Sequence, residues 1–114
     1  MKTLKFAPNL VPLILSGEKT TTWRLFDDKD LKQGDTLLFL NKETGEEFGT
    51  AIITSLTTRT LSTLEEGDWA GHEKFASEEE MYASYKKYYG DKVGPNSEVK
   101  ILTFAFTPSG SIDI

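Results

Sequence analysis

Short stretches of β-branched and aromatic residues, each closed by a turn signal, set the first limit on this fold. Thr3–Phe6 alternates, with Leu4 and Phe6 on one face. Thr20–Trp23 is β-branched and aromatic, which suits a strand. Thr36–Leu40 is mostly apolar and is expected to be buried on both faces. Phe48–Leu56 is centred on Ala51, Ile52 and Ile53, and Thr57–Leu61 either extends it or forms another short strand. Val99–Phe106 alternates again. Between them lie Lys32-Gln33-Gly34-Asp35, a hairpin connection at Asn41–Glu47 in which Gly45 supplies the turn, and Gly94-Pro95-Asn96. Several short strands joined by turns favour a small barrel over a parallel sheet.

Two segments read as helix. Pro8–Ser16 carries Leu10, Val11, Leu13, Ile14 and Leu15, with Asn9 as the expected N-cap and Pro12 in the first turn, where a missing N–H costs little. Gly17 is its stop. Ser77 followed by Glu80 is a capping-box pattern, and Met81, Tyr85, Tyr88 and Tyr89 recur at helical spacing until Gly90. Glu65–Ala76 lacks either period. Residues 1–107 therefore read as one domain and 108–114 as a frayed tail.

Composition narrows the chemistry. The absence of Cys excludes thiolate and disulfide chemistry, and a lone His makes a protein-built zinc site improbable. No stretch has the pattern of a signal peptide or the ~20 apolar residues of a membrane span, so the chain is expected to be soluble and cytoplasmic. The formal net charge of −5 disfavours a broad phosphate-binding face and suits a pocket for one nucleoside. Oligomeric state is not legible.

The joint between the first helix and the second strand concentrates reactive residues. Gly17-Glu18-Lys19-Thr20-Thr21-Thr22-Trp23-Arg24 places a lysine, a run of hydroxyls and an arginine at a helix-to-strand turn, where scaffolds commonly present chemistry. Gly17-x-Lys19-Thr20-x-Thr22-x-Arg24 resembles the Gly-x-Lys-x-x-x-x-Arg signature of the ASCH domain, a PUA-like family. The resemblance extends over most of the chain: the short helix before the signature, the Lys32–Asp35 turn, and Thr60-Leu61-Ser62-Thr63-Leu64. It implies an α+β fold, a small, mostly antiparallel PUA-like barrel flanked by two short helices, with its site at the barrel mouth beside Gly17–Arg24.

Many family members carry Glu at the position of Thr22. The threonine form is similar to the small bacterial N4-acetylcytidine amidohydrolases of that family, in which a lysine, a threonine nucleophile and a distant glutamate form the site. This resemblance maps the first two onto Lys19 and Thr22 and the third onto Glu73, with His72 the alternative and Glu65 or Glu66 lesser ones. It implies hydrolysis of the N4-acyl amide of a modified cytidine, with no metal or organic cofactor. Chemically, a threonine hydroxyl needs a base within reach, and a lysine serves if burial or a nearby cation lowers its pKa. On a regular strand Lys19 and Thr22 point to opposite faces, so Lys19 must sit in the turn. Arg24, two beyond Thr22 on the same face, is placed to hold the ligand or the oxyanion. Trp69 either stacks on a base or plugs its own loop, and His72 is a candidate ligand contact. Trp23, alternating away from Thr22, is expected in the core. Two rivals stand beside this reading: a non-catalytic RNA-binding module, and a ribonuclease using Lys19 and His72.

Overall fold

Along β1 (Lys2–Phe6) Leu4 and Phe6 are buried while Lys5 between them is exposed, the period of a strand with one face inward. The chain then makes a single helical turn, α1 (Val11–Leu15), and enters β2 (Thr21–Leu25). β3 (Thr36–Asn41) and β4 (Glu47–Thr60) follow as a hairpin whose turn uses Gly45 at φ 76°. After two 3-10 turns, Leu61–Thr63 and Glu66–Trp69, come α2 (Glu78–Tyr89) and β5 (Glu98–Pro108). This computed structural model describes residues 1–27, 29–72 and 74–109; Asp28, Glu73 and 110–114 lie outside the described residues, which include most of the expected tail.

The strands form one five-stranded sheet in the order β1-β3-β4-β5-β2. β1 pairs with β3 in parallel, and the other three pairings are antiparallel. Register breaks between Phe39 and Leu40 and between Ile53 and Ser55 bend the ladder and increase its twist. The result is a curled, open half-barrel with β1 and β2 as its edges, the mostly antiparallel α+β architecture expected. Thr57–Thr60 continue β4 without a break and stay paired to β5.

Two cores lie against this sheet. One gathers Leu4, Phe6, Ile14, Leu31, Leu37, Phe39, Ala51, Ile53, Leu102 and Phe104. The other gathers Trp23, Leu25, Leu61, Met81, Tyr85, Val93, Val99 and Ile101 beneath α2. β5 serves both, because Leu102 and Phe104 fall on one side and Val99 and Ile101 on the other. Ser77 Oγ accepts the Glu80 N–H at 3.1 Å, and Glu78–Glu80 and Lys86–Lys87 sit at the ends of α2 that favour their charges.

Two local expectations need correction. Asn9 does not cap α1: Leu10 occupies the N-cap with no side-chain bond, because a turn from Ala7 O to Leu10 N–H delays the helix. β3 is fully buried on one face only, at Leu37 and Phe39, because that face meets the first core while Leu38 and Leu40 on the other are half-buried.

The loop before β3 is pinned by charge. Lys100 Nζ lies 2.7 Å from Asp27 Oδ2 and also donates to Leu31 O, while Asp27 accepts the Lys29 and Leu31 N–H groups. Burial on its own pushes the Asp27 carboxyl up, but the Lys100 hydrogen bond and the two backbone donors outweigh it and leave it below the ordinary carboxylate value. A depressed carboxyl stabilises the fold above the unfolded pKa of about 4 and loses that contribution as pH falls through the folded value. Asp27→Asn is expected to lower stability at pH 7 by about 1–3 kcal/mol. The gap to wild type should narrow in urea titrations repeated below pH 4, and a constant gap would contradict this account.

Candidate active site in the seam of the half-barrel

A sheet of this order leaves β1 and β2 without ladder partners on their outer sides, and their edges face a common gap. A cavity of about 350 Å³ occupies that seam. β1 contributes Lys5, Phe6 and Ala7, β2 contributes Thr22, Trp23 and Arg24, and α2 adds Ser84, Tyr85, Tyr88 and Tyr89. Lys19, His72 and Phe75 complete the inner wall. The volume and the aromatic walls are those of a small-molecule site.

Lys19 reaches the cavity because it is not part of the strand. Gly17 at φ 85° turns the chain out of α1, and the Lys19 N–H returns to Leu13 O at 2.9 Å. The side chain is buried, at 4% exposure, with Nζ donating to Thr21 O at 2.9 Å. Thr22, at 5%, lines the same cavity. Lys19 thus sits in the turn, as the opposed-face argument required, and both residues line one hollow.

The preceding threonines hold the irregular loop against β2. Thr20 and Thr21 N–H both donate to Gly71 O, at 3.0 and 3.2 Å, and Thr21 Oγ1 donates to Ala70 O at 2.9 Å. Gly71 is required there on two counts. Its φ is 74°, and an added Cβ would lie 2.0 Å from Thr20 Oγ1. This clamp delivers His72, 9% exposed, onto the Trp23 ring at 4.2 Å and 20°. Nothing in the sequence pattern singled out Gly71; a glycine in an irregular segment reads as a break in periodicity.

Trp69 does not line this cavity. Its ring packs on Trp23 at 4.5 Å and on Phe75 at 6.1 Å, and it lines a smaller, separate cavity with Leu61, Leu64 and Met81. The geometry favours the plug over the base-stacking platform. Trp23 is in the core as expected and also forms part of the cavity wall. Glu73 lies outside the described residues. Glu65 is exposed and pairs with Arg59 at 3.0 Å; neither it nor Glu66 lines the cavity.

Arg24 spans the seam. Its guanidinium donates to Lys5 O on β1 at 3.1 Å and lies 4.9 Å from the centre of the Phe6 ring. Burial lowers its pKa, offset in part by Tyr89, Tyr85 and Asp27, yet a guanidinium starts so high that it stays a cation. The residue expected to hold the ligand or the oxyanion is found tying the two sheet edges together. Tyr85, Tyr88 and Tyr89, which recur at helical spacing, form the α2 wall of the cavity, and Tyr85 also belongs to the second core. Helical spacing identifies the buried face of a helix but not whether that face meets side chains or a hollow.

Among the described residues no group of three or more His, Asp or Glu is placed to hold a metal ion, and no helix is long and apolar enough to cross a membrane. The cavity instead offers an amine, a hydroxyl, an imidazole and a guanidinium between aromatic walls. Such a set suits proton transfer and nucleophilic attack on a planar ligand.

No protein-family model matches the chain, and no curated protein matches it in sequence. Solved structures do match. A DUF984-family protein of Enterococcus faecalis V583 aligns with a TM-score of 0.79 at 15% identity, covering 95% of this chain and 77% of that one. An ASCH domain from Lactobacillus crispatus aligns at 0.66 and 17% identity, covering 88% and 71%. ASCH from Zymomonas mobilis aligns at 0.61 and 18% identity, covering 93% and 68%. The chain has an ASCH-like, PUA-like fold.

Gly71→Ala tests the clamp. It is expected to cost about 1–3 kcal/mol from overpacking and the strained φ. Thr20→Gly, which removes the clashing hydroxyl, should recover part of that loss in the double variant. Equal unfolding midpoints for wild type and Gly71→Ala would show that the loop is not held as described.

Proposed function

We propose that the seam cavity is the active site of an amide hydrolase that removes the N4-acyl group of a modified cytidine, giving cytidine and a carboxylate. The single observation that carries this reading is that Lys19 and Thr22, both buried, line one cavity with aromatic walls. The resemblance of Gly17–Arg24 to the amidohydrolase signature and the ASCH-like fold support it.

Thr22 Oγ attacks the acyl carbon as Lys19, in its neutral form, takes the hydroxyl proton. The C–N4 bond then breaks and the exocyclic amine leaves with a proton, leaving the acyl group as an ester on Thr22. Water cleaves that ester, releases the carboxylic acid and restores the hydroxyl. Glu73 carries the proton to the leaving amine in this scheme, and His72 in the same cavity is the alternative carrier. Arg24, fixed to Lys5 O, supplies positive charge near the developing oxyanion. The flat walls of Trp23 and Tyr85 favour a planar base.

Incubation of the protein with N4-acetylcytidine, followed by absorbance, tests the reading. Thr22→Ala is expected to lose at least ~10³-fold in kcat, and Lys19→Ala about 10²–10⁴-fold. Intact substrate at high enzyme concentration would leave a binding module. Cleavage of RNA but not of strands lacking 2′-hydroxyls would favour a ribonuclease built on Lys19 and His72.

A further inference from the structure

Among the described residues, the charged side chains that line the seam cavity are of one sign. Lys5, Lys19, Arg24 and Lys42 contribute cations, and no Asp or Glu lines it among the described residues. The chain as a whole carries a net −5, so this concentration of positive charge runs against the composition. A hollow with low-dielectric walls and charges of one sign focuses its field on ligands of the other.

The cations are layered by depth. Lys19 is buried at the inner wall beside Thr22 and His72, and Arg24 is tied to Lys5 O. Lys5 and Lys42 are exposed, at the end of β1 and just beyond β3, and Lys42 Nζ sits 5.1 Å from the centre of the exposed Tyr88 ring across the opening. Neither Lys5 nor Lys42 makes an ion pair among the described residues. The neutral base and its acyl group, taken by the inner wall, need neither of them.

We infer that the mouth of the cavity, at Lys5 and Lys42, receives the phosphate of a nucleoside monophosphate, so that the ligand is a nucleotide rather than a free nucleoside. This rests on the nucleoside-binding part of the function proposed above and not on amide hydrolysis. A single dianionic phosphate matches these two ammonium groups, whereas the further phosphates of a longer strand would meet a chain of net charge −5.

Calorimetric titration of the wild-type protein with cytidine and with its 5′- and 3′-monophosphates tests this without any turnover. One monophosphate is expected to bind about tenfold more tightly than cytidine, a gap that shrinks at high salt. In Lys5→Ala/Lys42→Ala the two should bind within about twofold of each other; Lys5→Ala keeps the carbonyl that Arg24 uses. Lys42→Ala alone should remove part of the gap. Equal binding of cytidine and both monophosphates, absence of binding by either monophosphate, or a gap that survives in the double variant overturns the inference. So does tighter binding of a cytidine trinucleotide lacking terminal phosphates, which would place a strand here. Tight monophosphate binding with no N4-acetylcytidine cleavage would sink the hydrolase and leave the nucleotide site standing.

Discussion

Too few strands are present to close the barrel, and that shortage organises the molecule. β1 and β2 end the sheet on opposite sides, and curling brings their free edges toward each other without a ladder between them. An open strand edge leaves backbone donors and acceptors that must find other partners. Two cations meet that need: Lys19 donates to Thr21 O on β2, and Arg24 reaches from β2 to Lys5 O on β1. The groups that satisfy the seam are thus the same ones that charge it. Edge satisfaction and positive charge coincide because both arise from an edge without a partner.

The second dependence is the anchoring of an irregular loop. Residues 65–76 have no period of their own, so their position is set by what they touch. Thr20 and Thr21 hold Gly71, Trp69 fills the space beside Trp23, and Asp68 pairs with Arg59 on β4. The loop arrives at the cavity with His72 already stacked. Fixing these groups in advance avoids paying their conformational entropy when ligand enters. Trp23 Nε1 and Arg24 Nε, both on residues that line the cavity, remain buried without a hydrogen-bond partner among the described residues.

Some of this was legible from residues alone. Strand alternation at Leu4 and Phe6, the Ser77 cap with its helix to Gly90, and the Gly34 and Gly45 turns all follow from short-range rules. The same rules failed at Asn9, where one turn of chain before α1 displaced the cap, and at Leu38 and Leu40, where burial depends on what covers the outer face. They were incomplete at Tyr85, Tyr88 and Tyr89, since a buried stripe on α2 does not say whether it meets a core, as Tyr85 does, or also a cavity. Gly71 was invisible because its constraint is a contact with Thr20, distant in the chain.

What residues by themselves determined was the set of short strands, the two helices, the exclusion of thiol chemistry, and the crowding of Lys19, Thr22 and Arg24 at one turn. These rest on spacing and on local backbone preference, which act over a few residues. Only the tertiary structure decided that Lys19 and Thr22 face one hollow, that Arg24 bridges β2 to β1, and that positive charge gathers in an acidic chain. Those facts depend on strand order and on the direction in which the sheet curls. Both are set by long-range pairing and packing, which no local pattern encodes.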